Sequence, residues 1–192
     1  MKLLGFNPQK VIVVGGGGHI GLPLSLVLAR IGHDVIALDI NPNVVAQINN
    51  GDMPFIEEGA HELLLMALDE FKFKASNDNA LIANADVVII CIGTPVDEHM
   101  SPVPRIFTDL LDSIKPYLNK NQLLILRSTV YPGTTRLASQ YLKEIELDIA
   151  FCPERILQGK AIEELGSLTN IVSGVTKKAE KKAADFFSAL GA

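Results

Sequence analysis

The stretch Lys10-Val-Ile-Val-Val-Gly-Gly-Gly-Gly-His-Ile-Gly-Leu-Pro23 decides the fold of this 192-residue chain. An apolar run of strand length leads into four consecutive glycines, and a helical apolar pattern follows them. The pattern Gly-x-Gly-x-x-Gly falls on Gly16, Gly18 and Gly21. A strand that enters such a turn and leaves it as a helix is typical of dinucleotide-binding sites, so the stretch predicts one here.

Each of the three glycines has its own role in such a turn. Gly16 permits the tight turn, Gly18 lets the backbone approach a pyrophosphate, and Gly21 lets the helix pack closely on the strand. The pyrophosphate would lie at the helix N-terminus, where unpaired N–H groups and the positive end of the helix dipole meet. The residues predicted to bind the cofactor here are Gly16, Gly18, His19, Ile20 and Gly21.

An acidic residue ends the second predicted strand, about 20 residues beyond the turn. Asp39 would accept hydrogen bonds from the adenosine ribose hydroxyls and would repel a 2′-phosphate. Asn41 is neutral and no arginine adjoins to offset that repulsion, so the sequence predicts NAD rather than NADP. The alternative is a structural glycine turn beside a surface aspartate.

Apolar runs of strand length alternate with helical periodicity along the chain, which indicates βαβ units around a parallel sheet. The runs are nearly continuous in Val, Ile and Leu, as a sheet covered on both faces requires. We therefore expect an α/β fold, a Rossmann-type doubly wound parallel sheet of about six strands with helices on both faces, forming one domain over residues 1–192. The predicted strands are Lys10–Val14, Asp34–Asp39, Val87–Ile92, Gln122–Ser128, Asp148–Cys152 and Asn170–Ser173.

The helices are predicted from periodicity and from their caps. Gly32 suits a left-handed cap after the first helix, and Asn41 with Pro42 suits the start of the second. Residues 52–59, which we call the insertion segment, are too apolar for a linker, and a short strand is possible at Phe71–Lys74. The predicted helices are His19–Ile31, Pro42 to about Gly51, Ala60–Glu70, Asn77–Ala83, Arg105–Leu118, Thr134–Leu142, Ala161–Leu165 and Lys177–Leu190.

Composition excludes several classes of function. The chain is 48% hydrophobic, but its apolar runs fall short of the roughly 20 residues that span a bilayer, and its start does not resemble a secretory signal. We expect a cytoplasmic protein. Cys91 and Cys152 lie in or beside apolar runs, which favours two reduced, buried thiols over a disulfide.

Metal and nucleic acid are not expected partners. The four histidines are scattered without zinc-ligand spacing, and the net charge is −5. The lysines of Lys177–Lys182 are interpreted as one solvated helix face.

Two further strand ends carry small residues where ligands bind in open α/β sheets. Gly93, Thr94 and Pro95 follow the third predicted strand, and Ser128 and Thr129 end the fourth. We expect both to lie along a nicotinamide ribose. The alternative for each is a plain loop with a helix cap.

Together these motifs resemble the UDP-glucose/GDP-mannose dehydrogenase family, over essentially the whole chain and in order. The resembling elements are Gly16-Gly-Gly-His-Ile-Gly-Leu-Pro23, Asp39 with its following Asn-Pro, Asn50-Gly-Asp-Met-Pro-Phe-Ile-Glu-Glu-Gly59, Gly93-Thr-Pro95, Ser128-Thr-Val-Tyr-Pro-Gly-Thr134 and Cys152-Pro-Glu-Arg155. A shared Rossmann fold alone would not explain the last three of these elements together.

The resemblance implies a reaction. Family members oxidise the C6 alcohol of a nucleotide sugar to a carboxylate with two NAD, through an aldehyde and a cysteine-bound thioester. Pro153-Glu-Arg-Ile-Leu-Gln-Gly159 is similar to the enzymes for N-acetylhexosamines, whereas glucose enzymes usually follow Pro-Glu with Phe-Leu-Arg-Glu. The implied substrate is UDP-N-acetylmannosamine or a related UDP-N-acetylhexosamine, with the epimer undecided.

The same resemblance assigns roles to three residues. It implies that Thr129 orients a water or the substrate hydroxyl, that Glu154 helps activate water for thioester hydrolysis, and that Arg155 lines the sugar-nucleotide side. The structural alternatives are that Glu154 caps the following turn and that Arg155 forms an ion pair.

Two departures from the family limit what the chain does alone. The family's nucleophilic cysteine lies in a glycine-rich C-terminal loop that nothing here matches, and Asn170 stands where the family more often has Arg. We expect an N-terminal NAD-binding domain without the central helical and UDP-binding domains, inactive alone and homodimeric when full length. The alternatives are a UDP-glucose 6-dehydrogenase, a stand-alone NAD-binding regulatory module, or a dehydrogenase of the 6-phosphogluconate type.

Overall fold

The computed structural model describes residues 7–93 and 104–190, and in them one sheet runs through the centre. Its strands are β1 (Lys10–Val14), β2 (Asp34–Leu38), β3 (Phe73–Ser76), β4 (Val87–Ile90), β5 (Leu123–Leu126), β6 (Asp148–Phe151) and β7 (Ser173–Gly174). Their order across the sheet is β3-β2-β1-β4-β5-β6-β7. All neighbouring strands pair in parallel except β6 and β7, which are antiparallel.

Helices cover both faces of the sheet. They are α1 (Gly21–Arg30), α2 (Pro42–Asn49), α3 (Ala60–Glu70), α4 (Pro104–Ile114), α5 (Thr134–Tyr141), α6 (Ala161–Glu164) and α7 (Lys177–Ser188). One apolar core joins α1, α3 and α7 to the sheet, and a second joins α4 and α5 to its other face. Because both faces are covered, β1, β4 and β5 are almost entirely apolar, and the predicted doubly wound Rossmann-type fold is confirmed.

The caps that the sequence predicts are present. Gly32 has a φ of 108° after α1, which is the left-handed conformation expected of a glycine cap. Asn41 caps α2 through its side chain, which accepts the N–H of Asn43 at 3.0 Å, and Pro42 is the first helical residue. Gly51 follows the end of α2, also with a positive φ.

The possible short strand near Phe71–Lys74 is present as β3 at Phe73–Ser76, so the sheet has seven strands where about six were predicted. Two other predictions about elements need correction. The segment predicted as a helix at Asn77–Ala83 is a 3-10 helix at Asn79–Asn84. The last strand is Ser173–Gly174 rather than Asn170–Ser173, and it runs antiparallel.

The direction of β7 follows from where the chain goes after β6. Arg155 donates to the carbonyl of Thr169, and Asn170 accepts a hydrogen bond from Arg127 just beyond the carboxyl end of β5. The segment between β6 and β7 therefore stays at the carboxyl edge of the sheet. A strand that starts from that edge has to run back along β6, since a parallel strand would need a crossover to the other edge.

The two edges of the sheet are formed by β3 and β7. On the β3 side, the amide side chain of Asn49 takes the position of a neighbouring strand. Its Nδ2 donates to the carbonyl oxygen of Ala75 at 3.0 Å, and its Oδ1 accepts the Ala75 N–H at 2.9 Å. The middle of β3 is thus hydrogen-bonded on both sides.

Within residues 7–93 and 104–190, no helix combines the length and apolar character needed to cross a membrane.

The lysine cluster on α7 is exposed, as predicted, and also binds the sheet. Lys182 and Lys178 place their Nζ atoms 2.7 and 2.9 Å from Oδ2 of Asp148 at the start of β6. Burial disfavours the charged form of Asp148, but the bonds from Lys182 and Lys178 outweigh it and lower the pKa below the ordinary value of 3.8.

We expect Asp148→Asn to lower the free energy of unfolding by about 1 kcal/mol near neutral pH, a value kept small because solvent screens the exposed lysines. Because the pKa of the folded state is depressed, this contribution is present above pH 3.8 and is lost as the pH falls through the lower, folded-state pKa. Urea titrations from pH 7 downward measure the difference between the two proteins.

The matched control is Asp185→Asn, which removes an exposed carboxylate paired with exposed Lys181 and should change stability little at any pH. A difference in the free energy of unfolding between wild type and Asp148→Asn that grows as the pH falls would contradict a stabilising ion pair between Asp148 and the two lysines.

Candidate functional site

The predicted site residues that the structure describes lie along the carboxyl edge of the sheet. The chain runs outward from β1 to β2 and β3 on one side, and from β4 to β5 and β6 on the other. The reversal between β1 and β4 is the topological switch point, where open α/β sheets bind ligands. The glycine turn after β1 stands at this point, beside the ends of β2 and β4.

Gly16 and Gly21 are required by the protein itself. The N–H groups of Gly15 and Gly16 both donate to the carbonyl of Leu38 at 2.9 Å, which draws the turn onto the end of β2. A Cβ on Gly16 would lie 2.6 Å from the Cα of Ala37, and one on Gly21 would overlap the carbonyl oxygen of Gly15. Neither backbone could move away without breaking the turn.

Gly18 is different, because the protein leaves room at this residue. Among the described residues, a Cβ there would meet only the carbonyl oxygen of Gly15, at an ordinary 3.4 Å. α1 begins three residues later at Gly21, after the N-cap residue Ile20, and no described side chain accepts a hydrogen bond from its first N–H groups. The space above Gly18 and the uncapped helix start fit the pyrophosphate of a dinucleotide.

Asp39 is held in place by two backbone N–H groups. Its Oδ2 accepts from Gly17 at 2.9 Å and its Oδ1 from Asn41 at 3.0 Å. A Cβ on Gly17 would lie 2.5 Å from a methyl group of Val44 and 2.8 Å from Oδ2 of Asp39, so a larger residue here would displace these side chains. Sequence reasoning missed Gly17, although the unbroken run of four glycines was a signal. The carboxylate is thereby fixed beside the turn, where an adenosine ribose would approach.

The insertion segment reaches the glycine turn through an aromatic contact. The exposed ring of His19 lies on the half-buried ring of Phe55, with 4.1 Å between centroids and 36° between the planes. Sequence reasoning did not foresee this contact, and the only signal was the apolar character of the segment. The segment therefore forms one wall beside the turn.

The ends of β4 and β5 are joined just beyond the strands. Ser128 is buried, and its N–H and Oγ both donate to the carbonyl of Ile90, at 3.2 and 3.3 Å. Thr129 follows as an exposed residue, and Gly93 is exposed with open space around its Cβ position. Thr94 and Pro95 lie outside the described residues.

A buried ion pair lies beside these strand ends. Nε and Nη2 of Arg127 are 2.6 and 2.5 Å from Oε2 of Glu154, and the two side chains are 3% and 5% exposed. The other oxygen of Glu154 accepts the N–H groups of Arg155 at 2.7 Å and Ile156 at 3.2 Å. Glu154 therefore caps the turn that follows it, while the exposed Arg155 side chain donates to the carbonyl of Thr169.

Arg127 is itself held from three sides. Its Nη1 donates to Oδ1 of Asn170 at 3.0 Å, and its guanidinium lies over the ring of Phe187 in α7, 4.7 Å from the centroid. Sequence reasoning missed this residue. A charged residue near the end of an otherwise apolar predicted strand was the available signal, since such a charge is buried only with partners.

Glu57 is a second buried acid that sequence reasoning did not single out. Its Oε1 accepts the N–H of Ala161 at 2.6 Å and its Oε2 accepts that of Gly159 at 2.8 Å. The insertion segment is thereby bonded to the segment that follows Glu154 and Arg155.

The predicted pair of buried, unpaired thiols is confirmed. Burial raises the pKa of Cys91 to about 12 and that of Cys152 to about 11, against a weaker lowering effect of the Arg127 charge. Both thiols are therefore protonated at neutral pH.

Comparison with known proteins shows the family of this chain. Residues 9–189 match the family described as "UDP-glucose/GDP-mannose dehydrogenase family, NAD binding domain". A UDP-N-acetyl-D-mannosamine dehydrogenase of Methanococcus vannielii is 34% identical over 93% of this chain, and one of Methanocaldococcus jannaschii is 35% identical over 93%. The chain spans 42% of the length of each.

Solved structures give the same result. A UDP-D-ManNAc dehydrogenase from Pyrococcus horikoshii superposes with a TM-score of 0.87 at 28% identity, over 94% of this chain and 44% of that one. A UDP-N-acetyl-mannosamine dehydrogenase from Staphylococcus aureus has a TM-score of 0.85 at 32% identity, over 94% and 45%. The chain therefore belongs to the UDP-glucose/GDP-mannose dehydrogenase family and carries its NAD-binding domain.

Proposed function

We propose that this chain is the cofactor-binding part of a nucleotide-sugar 6-dehydrogenase acting on UDP-N-acetylmannosamine or a related UDP-N-acetylhexosamine. The observation that carries the proposal is the glycine turn, where Gly18 leaves room for a pyrophosphate while Asp39 is fixed beside it. In the whole protein, a C6 alcohol and one water would become a carboxylate with the loss of four electrons, which two NAD molecules would accept as hydride.

The described residues suit the parts of NAD in order along the carboxyl edge. The pyrophosphate would lie over Gly18 at the start of α1, with Gly16, Ile20 and Gly21 shaping the turn and His19 beside it. Asp39 would accept the adenosine ribose hydroxyls. Gly93, Ser128 and Thr129 would lie toward the nicotinamide ribose, and Thr94 and Pro95 remain predicted contacts.

The substrate proposal rests on Pro153-Glu-Arg-Ile-Leu-Gln-Gly159 and on relatives named as UDP-N-acetyl-D-mannosamine dehydrogenases. Arg155 is exposed and would contact the sugar nucleotide. Thr129 would orient a water or the substrate hydroxyl, and Glu154 would act on the hydrolytic water. A cytoplasmic location and a homodimer of the whole protein remain predictions.

The nucleophile of the reaction would lie outside these 192 residues. Both cysteines are buried, and their raised pKa values keep them protonated. We propose that the chain binds NAD but does not turn over substrate by itself.

We expect NAD to bind at least about tenfold more tightly than NADP, because the Asp39 carboxylate repels a 2′-phosphate. Asp39→Asn should lower the affinity for NAD and reduce the preference for NAD over NADP. Asp52→Asn, in the exposed part of the insertion segment, should change neither the affinity nor the preference. Calorimetric titration of the three proteins with both nucleotides measures the ratio. Equal or tighter binding of NADP by the wild type would overturn the role of Asp39.

Gly16→Ala should reduce the stability of the fold, whereas Gly18→Ala should reduce the affinity for NAD. Gly16→Ala forces a Cβ into the backbone of β2, so we expect it to lower the free energy of unfolding by about 2 kcal/mol or more. Gly18→Ala should keep the wild-type melting temperature and weaken NAD by about tenfold or more, because its methyl group enters only the space reserved for the pyrophosphate.

The control for both is Gly166→Ala, which lies away from the site. Its Cβ would be 3.9 Å from the carbonyl oxygen of Leu190, an ordinary contact distance. Calorimetry and thermal unfolding report the two quantities separately. Gly18→Ala that binds NAD like wild type would argue against a pyrophosphate at this turn.

We expect no NADH absorbance when this chain is mixed with NAD and UDP-N-acetylmannosamine, because the first hydride transfer needs the sugar held against the nicotinamide, and the groups proposed to bind the UDP lie outside these 192 residues. The second hydride transfer would also need a thiolate, and neither described thiol is available as one. Cys91→Ser and Cys152→Ser should give the same flat trace. NADH formation that disappears in either variant would show that the nucleophile lies within the chain.

A further inference from the structure

The insertion segment touches both functional regions of the carboxyl edge within three consecutive residues. Phe55 lies on His19, inside the Gly-x-Gly-x-x-Gly turn. Glu57 is bonded to the backbone of Gly159 and Ala161. Only Ile56 separates the two contacts along the chain, and its side chain is 97% exposed.

The Glu57 contact is built from buried groups. The residue is 7% exposed, and each of its carboxylate oxygens accepts one backbone N–H, at 2.6 and 2.8 Å. Gly159 has a φ of 88°, a left-handed conformation that turns the chain toward Glu57. The backbone N–H of Glu58 adds a longer bond to the carbonyl of Gly159, at 3.4 Å.

The stretch of chain that Glu57 binds also carries the proposed substrate residues. Residues 153–161, which we call the substrate-side segment, are fixed near one end by the Arg127–Glu154 ion pair and at the other by Glu57. Arg155 lies between these two anchors and is exposed. The position of its backbone therefore depends on both.

We propose that Glu57 is a positioning residue that ties the substrate-side segment to the glycine turn, so that NAD bound at the turn orders Gly159 and Ala161. A pyrophosphate over the turn restricts His19, the stacked ring restricts Phe55, and Glu57 carries that restriction to the two amides. The coupling is reciprocal, because ordering of the substrate-side segment favours NAD by the same factor. This inference rests on the proposed binding of NAD at the turn.

A purely structural role for Glu57 predicts a different result. As a cap for α6, which is only four residues long, it would protect the amides of Gly159 and Ala161 equally with and without NAD. The decisive quantity is therefore the additional protection that NAD produces at these two amides.

The test is hydrogen exchange of the Gly159 and Ala161 amides in this chain, with and without saturating NAD, with calorimetry on the same samples. In the wild type we expect NAD to slow exchange at both amides by about threefold or more. Glu57→Gln should speed exchange about tenfold without NAD, since the neutral amide has one acceptor oxygen in place of two charged ones and turns its NH2 toward one of the two N–H groups, and it should show no further effect of NAD.

Phe55→Leu provides the independent variant. It keeps both Glu57 hydrogen bonds and an apolar side chain, so protection without NAD should stay at the wild-type level while the NAD-dependent part disappears. The control is Glu58→Gln, whose exposed side chain is adjacent in sequence and should behave as wild type in every measurement.

The outcomes separate the two proposals. Wild-type protein that binds NAD with no change in exchange at Gly159 and Ala161 overturns the role of Glu57 and leaves the proposed function intact. NAD-dependent protection that survives in Glu57→Gln or in Phe55→Leu overturns it as well. Wild-type protein that binds no NAD in the calorimeter overturns the proposed function, and the coupling with it.

Discussion

The rest of the carboxyl edge depends on how closely the glycine turn approaches the end of β2. One carbonyl, that of Leu38, accepts the N–H groups of both Gly15 and Gly16 at 2.9 Å, and there is no space for a Cβ at Gly16. This approach places Gly17 against Asp39 and leaves the start of α1 beside that carboxylate at the carboxyl edge of the sheet. A bulkier turn would separate the helix start from the carboxylate, and the two could not serve one dinucleotide.

On the other side of the switch point, organisation comes from a buried charge pair. Removing two charges from water is costly, and such pairs are tolerated when further hydrogen bonds satisfy the remaining sites. Glu154 meets this condition with four N–H donors, two from Arg127 and two from the backbone. A carboxylate has about four lone-pair sites, so a role for Glu154 in activating water requires one of these donors to leave.

Local patterns were sufficient for most of the fold. Val87–Ile90 and Leu123–Leu126 are continuous apolar runs, and Asn41-Pro42 marks a helix start through hydrogen bonds made within a few residues. The glycine spacing predicted the turn because steric exclusion at Gly16 and Gly21 acts between neighbouring elements of one βαβ unit. These are short-range causes, and a single sequence displays them.

The contacts that sequence reasoning missed join distant parts of the chain. Glu57 binds amides more than a hundred residues away, and Arg127 binds Glu154, Asn170 and the ring of Phe187. No local sequence pattern distinguishes buried Glu57 from the adjacent Glu58, which is exposed. The direction of β7 was unpredictable for the same reason, since it follows from bonds that keep the preceding segment at the carboxyl edge.

The amide of Asn49 has a consequence beyond the stability of β3. An edge strand with unpaired N–H and C=O groups is a template on which another polypeptide can add as a further strand. At Ala75 both groups are already engaged by one side chain of the same molecule. A single asparagine therefore closes the central rung of the β3 edge to intermolecular β-sheet extension.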